Sequence, residues 1–312
     1  MDLSVIVPLL NEEDNIDILY TELTRVLNDL SLQYEIVMVD DGSTDNSLEI
    51  LRNLQQADPH LVIVSLRKNF GQTAAMSAGF DIATGNLIVA MDADLQNDPA
   101  DIPVLLRKID EGFDVVTGWR YDRKDPFFSR RLPSKIANFI ISFSTGVWIH
   151  DYGCTLKAFK HEVINNMKLY GEMHRFVPAI ASAMGISIAE VKVNHRARKY
   201  GKSKYGISRT VRVILDLLTV KFLLSYATRP IHVFGTLGII SGGLGLLIAL
   251  IMTVQRQFYG IAMADRPLLL LAVFLMFVGV QFITMGLLAE MLSRTYYESQ
   301  NKPIYFIRKI YR

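Results

Sequence analysis

The sequence predicts an α/β domain on a mostly parallel sheet, followed by two membrane-crossing helices. Through roughly the first 200 residues, short Val/Ile-rich runs (LSVIVPLL, YEIVMVD, LVIVSLR, NLIVAMD, FDVVTG) alternate with helix-like stretches such as NIDILYTELTRVLNDL and SLEILRNLQQA. Strands alternating with helices build a parallel sheet covered by those helices. Farther on, Ile231 to Val254 and Pro267 to Ala289 contain no Asp, Glu, Lys or Arg. At helical rise each run reaches roughly 34–36 Å, enough for a hydrocarbon core of about 30 Å.

Composition agrees. Half of the 312 residues are hydrophobic, and the mean hydropathy of +0.24 owes its excess to those two runs. The formal net charge is only +2, so nothing points to nucleic acid. A single cysteine, Cys154, makes no internal disulfide and fits a reducing compartment. The opening MDLSVIVPLLNEE lacks the basic start of a signal peptide. Ten Lys or Arg lie between Lys192 and Arg229 and five between Arg294 and Arg312, against two in the QRQFYGIAMADR loop. The positive-inside bias therefore puts both termini in the cytoplasm, at an inner or plasma membrane. Residues 1–205 form the catalytic domain in this reading. Residues 206–229 form amphipathic interfacial helices, with Val211, Ile214, Leu215, Leu218, Phe222 and Leu223 near one face. Residues 230–290 hold the two spans, and 291–312 are a basic tail. Gly238, Ser241, Gly242 and Gly245 put small residues at close-packing intervals, so a homo-oligomer is expected.

Three strands end on acid: VIVPLLNEEDN, IVMVDDGSTD and LIVAMDADLQNDP. Ligands of open parallel sheets bind beyond the carboxyl ends of the strands. Asp92 and Asp94, two apart where a strand breaks into a loop, suit a shared hard cation, Mg2+ or Mn2+, with Gln96 as a neutral oxygen. The same spacing also suits a solvated turn. Gly42 permits a positive φ, and Ser43 or Thr44 is placed to cap a helix starting near Asn46. Capping does not need both Asp40 and Asp41, which leaves a base or ribose as a partner. Pro8 is read as ending the first strand, with Asn11 and Glu12 above it.

In order and spacing, these segments resemble the nucleotide-sugar site of a family 2 glycosyltransferase with the Rossmann-like GT-A fold, over roughly residues 3–205. The resemblance implies that Pro8, Leu10, Glu12, Asp40 and Asp41 flank the nucleoside, and that Asp92, Asp94 and Gln96 hold a metal-bound diphosphate. RKNFGQTAAMSAGFDIATG matches as well, which implies Arg67, Asn69 and Gly71 on the donor side. TGWRYDR, SRRLPSK, DYGCTLKAFK, MHRFVPAI and HRARKYGKSKY are similar to the subgroup that loads sugars onto polyisoprenyl phosphates, and the two spans to its bacterial undecaprenyl-phosphate members. From this follow Arg120, Arg131 and Ser134 at the acceptor phosphate, and Arg198 with Lys204 over the donor phosphates.

The implied reaction is inverting transfer of a hexose, glucose from UDP-glucose by preference, to a polyisoprenyl phosphate. GDP-mannose or another UDP-sugar is the alternative donor. Arg198 and the cation are expected to stabilise the leaving diphosphate. Asp151 is the carboxylate for positioning the acceptor or taking a proton; its structural alternative is a backbone bond in the DYG turn. Cys154 reads as packing, and His174 and His195 as locally bonded in preference to metal ligands. A processive polysaccharide synthase is disfavoured because neither Trp119 nor Trp148 follows a Gln-X-X-Arg pattern. Two spans without an internal charge argue against a transporter. A catalytically silent membrane scaffold is the alternative of another class.

Overall fold

The structure is a computed structural model that describes residues 1–122, 138–139, 141–143, 145–165, 177–197, 231–260, 267–299 and 305–312. Two compact units result: Met1–Val220 with Pro303–Arg312, and Lys221–Lys302.

The first unit is built on β1 (Leu3–Leu9), β2 (Tyr34–Asp40), β3 (Leu61–Leu66), β4 (Leu87–Ala90), β5 (Val115–Arg120), β6 (Lys157–Lys160), β7 (Ile188–Val193) and β8 (Ile307–Tyr311). Their order in the sheet is β7-β5-β6-β4-β1-β2-β3-β8. β1 pairs in parallel with β2 and β4, and β2 with β3. Every residue of β1, β2 and β3 is buried, as expected of central strands covered on both faces. Register Leu9↔Asp40 brings the ends of β1 and β2 level. β6 runs antiparallel between β4 and β5.

Helices α1 (Glu13–Asn28), α2 (Ser47–Ala57), α3 (Gln72–Ile82) and α4 (Ile102–Asp110) connect the early strands, and the short helices α5 (His161–Asn165) and α6 (Val177–Ala183) follow. α1 buries Ile16, Leu19, Leu23 and Leu27, spaced three and four apart on one face. α4 does the same with Ile102, Leu105, Leu106 and Ile109. α3 carries small residues because it packs close to the sheet: a Cβ on Gly79 would stand 2.4 Å from Ile6 Cγ2.

Two expectations change here. Pro8 does not end β1, which runs on to Leu9; Pro8 pairs in register with Val39, beyond the last β4 partner of the strand at Ile6, so its missing N–H breaks no β1–β4 pairing. The tail read as 291–312 is not a separate basic extension either. Ile307–Tyr311 forms β8, antiparallel to β3, and covers that edge. Tyr305, 6% exposed, secures it by donating its hydroxyl to Asp81 Oδ2 at 2.5 Å.

The second unit contains α7 (Ile231–Tyr259) and α8 (Pro267–Ser299). Both contain stretches long and apolar enough to cross a membrane, Phe234–Tyr259 and Pro267–Ala289, with mean hydropathies of 2.3 and 2.5. The small-residue stripe faces the other helix of the same chain. A Cβ on Gly238 would stand 2.7 Å from Gly279 O, and one on Gly245 would stand 2.6 Å from Ala272 O. Ser241 Oγ donates to Leu275 O at 3.0 Å. The glycines thus let two backbones of one hairpin approach, and the stripe no longer argues for a homo-oligomer. The proposed interfacial helices, 206–229, lie outside the described residues.

Candidate active site

The loops after β1, β2, β3 and β4 gather at the carboxyl end of the sheet. Asn11, in a left-handed turn with φ 51°, donates its backbone N–H to Ser43 Oγ at 2.9 Å and accepts Thr44 N on Oδ1 at 2.8 Å. Glu12 N donates to Ser47 Oγ at 2.9 Å, and Asn46 N to Glu13 Oε2 at 2.9 Å. The Ser43 and Thr44 side chains therefore brace the β1 loop; the first amides of α2 are met instead by Asp45 Oδ1, which accepts Ser47 N at 3.0 Å, and by Glu13. Glu12 Oε2 in turn accepts from Asn15 Nδ2 at 2.6 Å. Leu10 and Glu12 remain half-buried at the rim.

The doubled acid after β2 has an internal explanation that spacing alone did not show. Asp40 Oδ1 accepts Ser43 N at 2.9 Å. Asp41 accepts Phe70 N at 2.7 Å and Gly71 N at 2.9 Å. The loop bearing Arg67 and Asn69 is thus fastened over the β2 turn. Gly42, at φ +73°, lies so close beneath it that a Cβ would stand 2.6 Å from Lys68 C. Both carboxylates are buried, at 2% and 4% exposure. Burial raises the Asp41 proton affinity, against the two backbone N–H groups that lower it. Arg67 and Asn69 are exposed, and Arg67 N donates to Phe306 O just before β8.

Beyond β4, Asp92, Asp94 and Gln96 share one tight turn. Leu95 sits in it at φ 61°, a strained conformation for a residue with a branched side chain. Its side chain is anchored in the core at 5% exposure. Asp94 Oδ1 accepts Gln96 N at 3.1 Å, while Gln96 O accepts Arg196 N at 3.0 Å. Asp92 is half-buried, and its Oδ1 accepts from Gln72 Nε2 at 2.6 Å. Burial first, and the neighbouring Asp94 charge second, push its pKa up to about 6; Thr155, Arg120 and Lys157 oppose them. Two hard oxygen donors in one turn, one with its charge opposed by its neighbour, fit a divalent cation completed by phosphate oxygens. Among the described residues no third His, Cys, Asp or Glu joins them.

Arg120 and Asp151, which the sequence reading gave separate tasks, form one ion pair. Arg120 Nε donates to Asp151 Oδ2 at 2.7 Å and Nη2 to Oδ1 at 2.9 Å. Asp151 Oδ1 also accepts Gly153 N at 3.1 Å, within the DYG turn. Glu190 holds the turn from β7 by accepting Asp151 N at 3.0 Å. A carboxylate engaged on both oxygens is a poor candidate for proton abstraction, so the structural alternative for Asp151 is the one the geometry favours. Cys154 is fully buried, and burial lifts its thiol to about 11, consistent with packing. His195, buried at 4%, sits in a β-bridge with Asn97 beside the Asp92 turn. Arg131, Ser134, His174, Arg198 and Lys204 lie outside the described residues. Sequence reasoning missed Gln72, Thr155, Asn97 and Lys157, although all four lie in segments already singled out, RKNFGQTAAMSAGFDIATG, DYGCTLKAFK and LIVAMDADLQNDP.

The comparisons with known proteins agree with this geometry. The family model described as Glycosyl transferase family 2 matches residues 4–167. Dodecaprenyl-phosphate galacturonate synthase of Rhizobium johnstonii is 46% identical over 315 residues, covering 100% of this chain and 93% of that protein. Undecaprenyl-phosphate 4-deoxy-4-formamido-L-arabinose transferase of Proteus mirabilis is 37% identical, covering 98% and 93%. Glucosyl-3-phosphoglycerate synthase from Mycobacterium tuberculosis, solved with Mn2+ and UDP-glucose, shares the GT-A fold at a TM-score of 0.57 and 18% identity, over 70% of this chain and 78% of that one. The chain belongs to glycosyl transferase family 2, in its polyisoprenyl-phosphate group.

Proposed function

We propose that this protein transfers a sugar from a uridine nucleotide to a polyisoprenyl phosphate at a membrane, with inversion, and that the sugar is galacturonate rather than the glucose expected from sequence. The observation that carries the reaction type is the Asp92–Asp94 turn at the carboxyl end of β4, where Asp94 Oδ1 accepts Gln96 N. The printed names of the two relatives support the lipid acceptor, and neither names glucose. Galacturonate follows the 46% identical relative.

Asp92, Asp94 and Gln96 would hold Mg2+ or Mn2+, which when bound neutralises the diphosphate and stabilises it as a leaving group. The Asn11, Asp40 and Asp41 loops, braced against one another, keep Pro8, Leu10, Glu12, Arg67 and Asn69 around the nucleoside. Arg196 donates its backbone N–H to Gln96 O, which supports a donor-phosphate role for Arg198 and Lys204. Asp151 orients Arg120 toward the acceptor phosphate, which Arg131 and Ser134 help to bind. That phosphate, with a second pKa near 6, is already mostly unprotonated at neutral pH. A strong general base is therefore dispensable, which suits an Asp151 occupied by Arg120. That β1 and β8 belong to one sheet supports both ends of the chain lying on one side of the membrane. The positive-inside bias makes that side cytoplasmic.

The test is direct. Purified full-length protein with Mn2+ and dodecaprenyl or undecaprenyl phosphate is given labelled UDP-galacturonate, UDP-glucose or GDP-mannose, and labelled lipid is measured. UDP-galacturonate should give the highest kcat/KM. Labelling from GDP-mannose alone would replace the donor assignment, and no lipid product from any donor would overturn the reading.

A further inference from the structure

Resting on the reading of Asp92 and Asp94 as the cation-binding pair, we infer that Gln72 and Thr155 are positioning residues. They hold the Asp92 carboxylate in its cation-binding orientation, and Asn97 fixes the direction in which Thr155 donates. Gln72 Nε2 donates to Asp92 Oδ1 at 2.6 Å. Gln72 opens α3, and the loop before it is tied down by the Phe70 and Gly71 amides on Asp41, so the donor stands on a fixed backbone. From another part of the fold, Thr155 lowers the proton affinity of the same carboxylate, which is the effect of a hydroxyl donating to it. A hydroxyl has one proton to give. Asn97 Nδ2 donates into Thr155 Oγ1 at 2.8 Å, so the hydroxyl proton is available for Asp92. Asn97 is itself buried at 4% and paired with His195 across a β-bridge.

The chemistry of these donors matters as much as their position. Both are neutral, so they fix the carboxylate plane without cancelling its charge. Asp151 is treated differently: the Arg120 guanidinium neutralises it and takes both its oxygens. Asp92 keeps its negative charge for a cation, and the loss of an outer partner of this kind typically weakens metal binding about 10–100-fold.

The experiment uses the full-length protein in detergent, titrated with Mn2+ in excess UDP or GDP, with free Mn2+ read by electron paramagnetic resonance. Gln72→Met and Thr155→Val should each weaken Mn2+ binding about tenfold or more, while Thr155→Ser, which keeps the hydroxyl, should bind within about twofold of the native protein. Gln72 is half-buried at a helix start, so Gln72→Met tests the inference even where Thr155→Val does not fold. Unchanged binding in either folded variant removes that residue from the role. Unchanged binding in both, or Ser no better than Val, overturns the inference while the cation site stands. A native protein that binds no Mn2+ with either nucleotide overturns the cation reading and this inference together.

Discussion

Replacing Asp151 with Asn separates a structural carboxylate from a catalytic base. The native carboxylate accepts Arg120 Nε and Nη2 at 2.7 and 2.9 Å and Gly153 N at 3.1 Å. Asn matches its shape but substitutes an NH2 for one oxygen. Whichever way the amide turns, a donor faces a donor and the Arg120 cation loses its counter-charge. The Arg120 and Asp151 side chains are 16% and 3% exposed, so solvent compensates little. Breaking a buried pair by removing one partner costs about 3–5 kcal/mol. At about 2–4 °C per kcal/mol for a domain of this size, the Tm should fall by roughly 6–20 °C. Below that transition, turnover per folded molecule should stay within about tenfold of native, with KM for the lipid phosphate raised as Arg120 loses its orientation. Loss of a general base instead removes roughly 10²–10⁴ in rate. Thermal unfolding followed by tryptophan fluorescence, with kinetics below the transition, gives both numbers. An unchanged Tm with a hundredfold fall in kcat would refute the ion-pair reasoning and restore Asp151 as a base.

Asp94→Ala should abolish sugar transfer while membrane insertion and Tm persist, measured by labelled-lipid formation and membrane fractionation; retained activity would remove the cation argument. Deleting residues 305–312 strips β8 from β3 and the Tyr305 hydroxyl from Asp81, so amide exchange along β3 should accelerate while exchange in β1 stays slow. Lys157, buried at 1%, has its pKa lowered by burial from 10.5 to about 8. Between about pH 8 and 10 the unfolded chain therefore holds the proton that the folded one has lost, and stability contributed by this residue rises with pH. Lys157→Met should flatten that rise in denaturant titrations, and an unchanged slope would mean that Lys157 stays charged in the fold.

Much of the architecture was legible in the chain. Apolar runs ending on acid located the carboxyl ends of β1, β2 and β4, because a strand buried on both faces must be apolar throughout and can turn polar only where it leaves the sheet. Asp92 and Asp94 were legible as a pair for the same local reason. The partners of those acids were not. Asp41 reaches amides at 70 and 71, Asp92 reaches Gln72, and Arg120 reaches Asp151. Each contact joins segments 20 or more residues apart, and no spacing rule encodes it. β8 was missed because IRKIY reads as a basic tail until β3 supplies an open edge. The glycines of α7 were recognised as a close-packing surface, but whether they meet α8 or another copy depends on the hairpin.

Periodicity and composition by themselves determined the α/β domain, the two apolar helices and the acids at the strand ends, since these follow from burial along a single segment. Tertiary structure alone decided that Asp151 pairs with an arginine while Asp92 is met by a neutral glutamine amide. That choice depends on the donors facing each oxygen, and the fold brings those donors from distant parts of the chain.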